Sequence, residues 1–384
     1  MLRSLLLILA LLPVIAPAQE KLMRIGLLRD RTVKGVVVMS WKGSCVVWAD
    51  GERKGEIKAS DGLKVEVVKG GMSARSLGAH FTAKKSIRIV PKSSGGGFRL
   101  KSLTHDMAER KYPGTLEITP EKGALMLVDR IPIEDYVAGV VQAEAGRDHH
   151  IEYYKLQAVS CRTFALSNSR KHLPEGFQLC DGVHCQVFHG RAWHDTISMA
   201  VEATRNLVLV DSHIELIHST FHSNCGGETV NAEDCWSKSE PYLRAITDTF
   251  CLLSPHANWH RTFSRNEWLG YLGKRFSITL DEPQLEAVTN YEPTCRDLYL
   301  GNTWPLIPLK FVREDLKLNS TFFSVRSNGE QIELKGRGFG HGVGLCQEGS
   351  MNMARSGRSY TEILHHYYTD VHLVDLSALD FFKD

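Results

Sequence analysis

The sequence predicts an α+β protein, and three observations carry that prediction. Short apolar runs separated by turn residues fill the chain up to about Leu127, the pattern of a small all-β domain. From Pro132 the apolar residues fall at helical intervals instead, in two successive segments. Beyond Leu207 strand-like runs return before the chain ends in a further helix, giving a second domain of helices and antiparallel strands.

Residues 1–18 read as a signal peptide. Arg3 is a positive n-region, Leu5 to Ile15 is an apolar core broken by Pro13, and Ala16-Pro17-Ala18 is a small-residue cleavage site. That run is too short for a membrane span, so the expectation is an exported chain that starts near Gln19, in the periplasm, the cell envelope or the medium.

Residues 19–127 form the β-rich domain. The runs "GVVVMSW", "SCVVWADG", "LKVEVVKGG" and "SIRIVPKSSGGGFRL" read as strands, the last broken by a loop at Ser93–Gly97. Gly114 to Asp129 reads as a hairpin turning through Pro120 to Gly123. The front is basic, with 21 Lys+Arg against 11 Asp+Glu in residues 19–125, whereas residues 126–384 hold 24 against 33. A basic front half suits a polyanionic surface such as a cell envelope, although small exported domains are also basic with no partner. No nucleic-acid partner is expected.

Residues 128–384 carry the chemistry, since 15 of the 17 histidines lie after residue 125. In "IPIEDYVAGVVQAEAG", Ile133, Tyr136, Val137, Val140 and Val141 make one apolar stripe, and its next member is Glu144. A carboxyl group on that stripe loses hydration and sits at the negative end of the helix dipole, and both effects favour its protonated form. That is the state a general acid needs, though a glutamate at a helix end also reaches solvent easily. The following helix, Ile151 to His172, sets Arg162 among small apolar residues, so a structural Glu144–Arg162 ion pair is the plain alternative. "LVLVD" and "IELIHSTF" then read as strands, residues 252–334 as an insertion or subdomain, and Ser359-x-x-Glu362 as a capping box opening the last helix.

Three further stretches hold functional groups. "HSTFHSNCGGETVNAEDCW" gathers polar residues around Gly226-Gly227, where Cys225 with His222 would make a thiol nucleophile. A Cys225–Cys235 disulfide is the arrangement an exported chain favours there. "CDGVHC" offers Cys180, Cys185 and His184, with His172 upstream, a donor set that suits zinc or a local disulfide. "GRGFGHGVGLCQEG" fixes His341 in a glycine-rich turn that is not a phosphate loop, because no Gly-Lys-Ser/Thr follows. Nine cysteines is an odd number, so at least one thiol is unpaired or bound to a metal.

Four stretches together, "IPIEDYVAGVVQAE", "KLQAVSCRTFA", "HSTFHSNCGGETVNAEDCW…PYL" and "GRGFGHGVGLCQEGSMNMARSGRSYTEILHHYY", resemble the stage II sporulation protein D / amidase-enhancer family. The resemblance covers most of residues 110–250 and 335–372. It implies an exported protein acting on peptidoglycan glycan strands as a lytic transglycosylase, with Glu144 as catalytic acid and base. His222, Ser223, Asn224, His341 and Gln347 would then contact sugar, with Arg162 and Gln157 shaping the site from beneath. The resemblance also implies structural zinc on Cys180 and Cys185, with His184 and His172 as further ligands, and no organic cofactor. A cell-wall amidase is the implied protein partner, and a non-catalytic amidase enhancer is the alternative function. A zinc-dependent or cysteine hydrolase is a third reading. Two departures stand out: Ala145-Gly146 replaces the family's Met-Pro, and Cys225 occupies a serine or threonine position, with another cysteine, Cys346, in the glycine-rich motif.

Overall fold

The computed structural model describes residues 21–236, 238–301 and 304–383, so the expected signal peptide lies outside the described residues. Mixed α+β architecture is what the chain adopts. The front of the chain folds into two largely antiparallel sheets. One runs Leu179–Cys180, Leu22–Leu27, Ala124–Pro132, Thr115–Glu121, Ile87–Pro91, Ser44–Ala49 and Glu52–Lys58 in spatial order. The other runs Arg110–Tyr112, Phe98–Ser102, Gly35–Ser40, Leu63–Val68, Gly71–Arg75 and His80–Ala83. Their inward residues, among them Val36, Val65, Ile87, Phe98 and Ile118, join one continuous core that extends into the helices. Two joints weld this section to the rest. The strand Ala124–Pro132 passes directly into a helix, and Leu22–Leu27 pairs in parallel with Leu179–Cys180.

That helix, α1 (Ile133–Ala145), starts immediately after Pro132, which serves as its N-cap. Glu134 and Asp135 sit in its first turn, where the dipole welcomes negative charge. Gly146 ends it at φ 72°, a left-handed value that glycine tolerates. Ile133, Tyr136, Val137, Val140 and Val141 are all buried, as the stripe requires. The second helix, α2 (Ile151–Ser167), stops sooner than its pattern predicts, where the Asn168 side-chain amide bonds the Phe164 carbonyl. His172 is thereby released into a turn.

The segment "IELIHSTF" also departs from expectation. It makes an isolated Val210–Leu216 bridge and the short strand Phe221–His222, not a full strand. The chain here lies against α2, where the Ser219 hydroxyl donates to the Ser160 carbonyl at 2.7 Å, so tertiary packing replaces a ladder partner. Residues 258–337 build a four-stranded antiparallel sheet with helices Arg265–Phe276, Glu282–Thr289 and Leu309–Asp315 around a separate core centred on Trp268 and Leu334. The Ser359 capping box forms both of its hydrogen bonds. Among the described residues no helix is long and apolar enough to cross a membrane.

Candidate active site

Glu144 lies in the last turn of α1, half-buried, on the wall of a cleft of about 800 Å³. Burial raises its pKa, and one hydrogen bond opposes that rise: the Val187 N–H donates to Oε1 at 2.7 Å. The cleft wall opposite includes Thr220, Phe221, Trp236 and His341. A second groove of about 530 Å³, lined by Lys310 and Arg313 among others, shares Trp236 and His341 with the first, so the two lie side by side.

The Glu144 contact depends on a close approach. Gly139 of α1 faces the 188–190 segment so tightly that a Cβ there would lie 2.3 Å from the Gly190 carbonyl oxygen and 2.5 Å from the Phe188 ring. Glycine at this position lets the loop rest on the helix and present Val187 to Glu144. From the other side, Gln186 accepts from Tyr136 and donates to the Cys161 carbonyl, anchoring the loop to both helices.

The same loop carries the predicted metal ligands. His172, Cys180, His184 and Cys185 offer two nitrogens and two sulfurs, all within 4.8 Å of one another. His172 Nε2 is 3.5 Å from Cys185 Sγ, and its Nδ1 meets Glu175 Oε1 at 2.5 Å. A carboxylate behind the ligating histidine is the usual second-shell arrangement of zinc sites. Cys185 shares its proton with Cys180, whose thiol is pulled down to about 4 while that of Cys185 rises. This donor set fits zinc in a closed tetrahedral site. The cluster ends two residues before Val187, so an ion here would fix the loop that touches Glu144.

Other predicted residues fall elsewhere. Arg162 pairs with Glu134, not with Glu144: Nε and Nη2 meet the two Glu134 oxygens at 3.0 and 2.5 Å, at the opposite end of α1. The Glu144–Arg162 ion pair is therefore corrected. Gln157 is fully buried in α2, and its amide atoms have no protein partner among the described residues. His341 lines the cleft with its ring locked, Nε2–H donating to the Phe221 carbonyl at 3.0 Å and Nδ1 accepting from Val343 N–H at 3.1 Å. Burial pushes its pKa down to about 4, so the ring is neutral. Gln347 donates to the Glu144 carbonyl at 3.4 Å.

His222, Ser223 and Asn224 do not line the cleft. His222 is buried, with Nδ1 on the Val343 carbonyl and a pKa driven well below the usual value by burial. The Asn224 side chain is spent on the Cys251 carbonyl, Glu348 and the Gly226 amide. Ser223, His256 and Glu348 have the composition of a hydrolase triad, but serine and glutamate both address Nδ1 of the histidine, so no proton relay runs through it. The Cys225–Cys235 disulfide is likewise corrected. Cys225 sits 3.3 Å from Cys251 Sγ, with its amide on Cys346 Sγ, while Cys235 borders the second groove. Nor does His222 act as a base for Cys225, since its Nδ1 is occupied and its Nε2 has no partner among the described residues.

Sequence reasoning missed Trp236 and Glu240 in the cleft. Trp236 is 46% exposed on the cleft wall, and that exposure is not encoded locally. Glu240 feels burial pushing its pKa up, but Lys238 and Tyr242 outweigh it and hold the carboxylate below its usual value.

The α+β fold thus places a half-buried helix-end carboxyl on a cleft wall, with a Cys₂His₂ cluster beside it. The family model described as Stage II sporulation protein matches residues 121–210, which contain α1, α2 and the Cys₂His₂ loop. The chain is 30% identical over 287 residues to stage II sporulation protein D of Bacillus subtilis (strain 168), covering 71% of this chain and 82% of that one. It is 32% identical over 271 residues to stage II sporulation protein D of Bacillus amyloliquefaciens, covering 66% and 77%. A protein named amidase enhancer, from Bacillus subtilis (strain 168), is 24% identical over 284 residues, covering 60% of this chain and 39% of that one. The chain belongs to the stage II sporulation protein D / amidase-enhancer family.

Proposed function

We propose that this protein is an exported lytic transglycosylase that cleaves peptidoglycan glycan strands between N-acetylmuramic acid and N-acetylglucosamine, leaving 1,6-anhydro ends. The observation that carries this reading is Glu144, a desolvated carboxyl with one backbone hydrogen bond on the wall of a cleft of about 800 Å³. Peptide-stripped strands are the substrate proposed, and wall remodelling is the process.

The Val187 N–H occupies Oε1 and so orients the carboxyl, leaving Oε2 to carry the proton. Glu144 gives that proton to the glycosidic oxygen as the bond to the anomeric carbon breaks. The resulting carboxylate then accepts the proton of the muramyl 6-hydroxyl, whose oxygen closes on the anomeric carbon. One residue thus acts as acid and base, and no water is consumed, in contrast to the two-carboxylate glycosidases. Bound zinc would supply structural cross-linking, with His172, Cys180, His184 and Cys185 holding it and the 180–187 loop kept on α1. His341, locked neutral, offers a rigid wall, and Trp236 offers a flat apolar face for a sugar ring.

Digestion of purified glycan strands with and without stem peptides, followed by mass spectrometry, tests the reading with wild type beside Glu144→Gln. Anhydro-muramyl ends from wild type alone support it. Products that gain water make the protein a hydrolase. Binding of strands without cleavage by either protein favours a non-catalytic enhancer of a wall amidase, a reading also supported by the name of one relative.

A further inference from the structure

A second cluster of soft donors lies in the core behind the cleft. Cys225, Asp248, Cys251 and Cys346 are all buried, and their ligand atoms lie within 4.8 Å of one another. Cys225 Sγ is 3.3 Å from Cys251 Sγ and 3.3 Å from Asp248 Oδ2. The four residues come from three separate chain segments. Cys225 follows the strand Phe221–His222, and Cys346 stands in the parallel strand beside it, in register with His222. Asp248 and Cys251 share one turn at i, i+3 spacing, the chelating geometry of a short zinc loop.

The convergence is built, not incidental. The Cys225 and Gly349 amides donate to Cys346 Sγ at 3.3 and 3.4 Å, as amides do to ligating thiolates. The Tyr367 hydroxyl donates at 2.8 Å to Asp248 Oδ2, the oxygen that faces Cys225, while the Phe250 N–H donates to Oδ1 at 2.9 Å and fixes the carboxylate plane. Gly349 has no side chain because a Cβ would meet Asp248 Oδ2 at 2.4 Å and Tyr367 Oη at 2.3 Å. Arg296, half-buried on the second groove, donates to the Cys225 carbonyl, which sets a positive charge beside the site. Asp248 is fully buried with the Phe250 N–H on Oδ1 and the Tyr367 hydroxyl on Oδ2, and a bound cation would offset the remaining cost of burying its charge.

We propose that Cys225, Asp248, Cys251 and Cys346 form a second, structural zinc site, separate from the Cys₂His₂ cluster. Bonds of about 2.3 Å to sulfur and 2.1 Å to oxygen give tetrahedron edges of about 3.6–3.8 Å, within a few tenths of an ångström of the shortest separations here. A span of 4.8 Å fits one ion and is too small for an iron–sulfur cubane. A Cys225–Cys251 disulfide would instead need the sulfurs to close from 3.3 Å to about 2.05 Å and would leave Asp248 and Cys346 unused. The ion would tie the segment after the strand Phe221–His222 to the strand Leu345–Cys346, and Thr220, Phe221 and His341 beside them wall the cleft.

The test uses the full chain purified without reductant. Metal analysis is expected to give two zinc ions per chain. Cadmium-113 spectra of the reloaded wild type should show two resonances, one of three-sulfur and one of two-sulfur ligation. Cys346→Ser should drop zinc from two to one per chain and remove the three-sulfur resonance, and Cys180→Ser should remove the other. If Cys346→Ser does not fold, the wild-type cadmium spectrum decides alone. One zinc per chain with a mapped Cys225–Cys251 disulfide overturns the proposal, as does one zinc per chain with Cys225, Cys251 and Cys346 all titrating as free thiols.

Discussion

The Arg162 guanidinium grips Glu134 at both carboxylate oxygens, 3.0 and 2.5 Å, and reaches the Leu207 carbonyl at 3.0 Å. Glu134 opens α1 and Glu144 nearly closes it, ten residues or about 15 Å further along the axis. The buried cation is therefore spent at the far end of the helix, and burial and one backbone hydrogen bond set the protonation of Glu144.

Breaking that pair should cost stability without touching the chemistry. Arg162 is fully buried, so Arg162→Ala leaves the Glu134 charge uncompensated, at a cost of about 3–5 kcal/mol. Urea unfolding measures the loss. The Arg162→Met/Glu134→Met double variant should recover most of it, and the pH profile of glycan cleavage should stay in place.

Glu144→Gln should lower turnover by about 10²–10⁴-fold, the usual range for a general acid. Because burial raises the Glu144 pKa above 4.5, the active protonated form is lost as pH rises through the raised value. Stability shifts in the same window. The folded state holds its proton longer than the unfolded chain, so wild type loses stability relative to Glu144→Gln between pH 4.5 and the raised pKa. Parallel unfolding curves across that range check the sign.

Glu175→Gln should weaken zinc binding at the Cys₂His₂ cluster by about 10–100-fold, because Glu175 orients His172 from behind. Competition with a chromogenic chelator measures it. Stripping that ion should release the loop carrying Val187 and lower cleavage reversibly, with activity returning on addition of zinc.

Gly139→Ala sets two effects against each other. Alanine favours a helix interior by about 1 kcal/mol over glycine. The added Cβ would meet the Gly190 carbonyl at 2.3 Å, and overpacking of that kind costs about 1–3 kcal/mol. Backbone cannot rotate away as a side chain can, so net destabilisation is expected. Cleavage should fall more steeply than stability, because the displaced segment follows Val187 directly.

Glu240→Gln separates one-carboxylate from two-carboxylate chemistry. Glu240 lines the same cleft and stays ionised. If Glu144 alone moves protons, the variant should keep anhydro products and lose less than about tenfold in rate, well short of a general-acid deletion. A loss equal to that of Glu144→Gln would require a second catalytic carboxylate.

Much of the site was legible where local periodicity carries the information. The apolar stripe of α1, the position of Glu144 at its end, the Gly146 stop and the Ser359 capping box follow from spacing alone, because a helix assigns faces by residue number. The Cys180–Cys185 loop was visible because its donors are close in sequence. The strand expected at "IELIHSTF" failed because its hydrogen bonds are divided among the Leu209 carbonyl, the Tyr242 hydroxyl and the Ser160 carbonyl of α2, partners that no alternation pattern encodes.

The sequence by itself determined the α+β class, the apolar face of α1 and the proximity of Cys180, His184 and Cys185, since each rests on contacts between near neighbours. Tertiary structure decided which distant groups meet. It gave Arg162 to Glu134, brought Val187 to Glu144 across 43 residues, and gathered Cys225 with Cys346 across 121 while leaving Cys235 apart. It also turned His222 and Asn224 inward and left Trp236 in the groove. Periodicity fixes a side chain's direction relative to its own helix or strand, whereas its partner depends on how those elements pack, and packing is settled by the whole core at once.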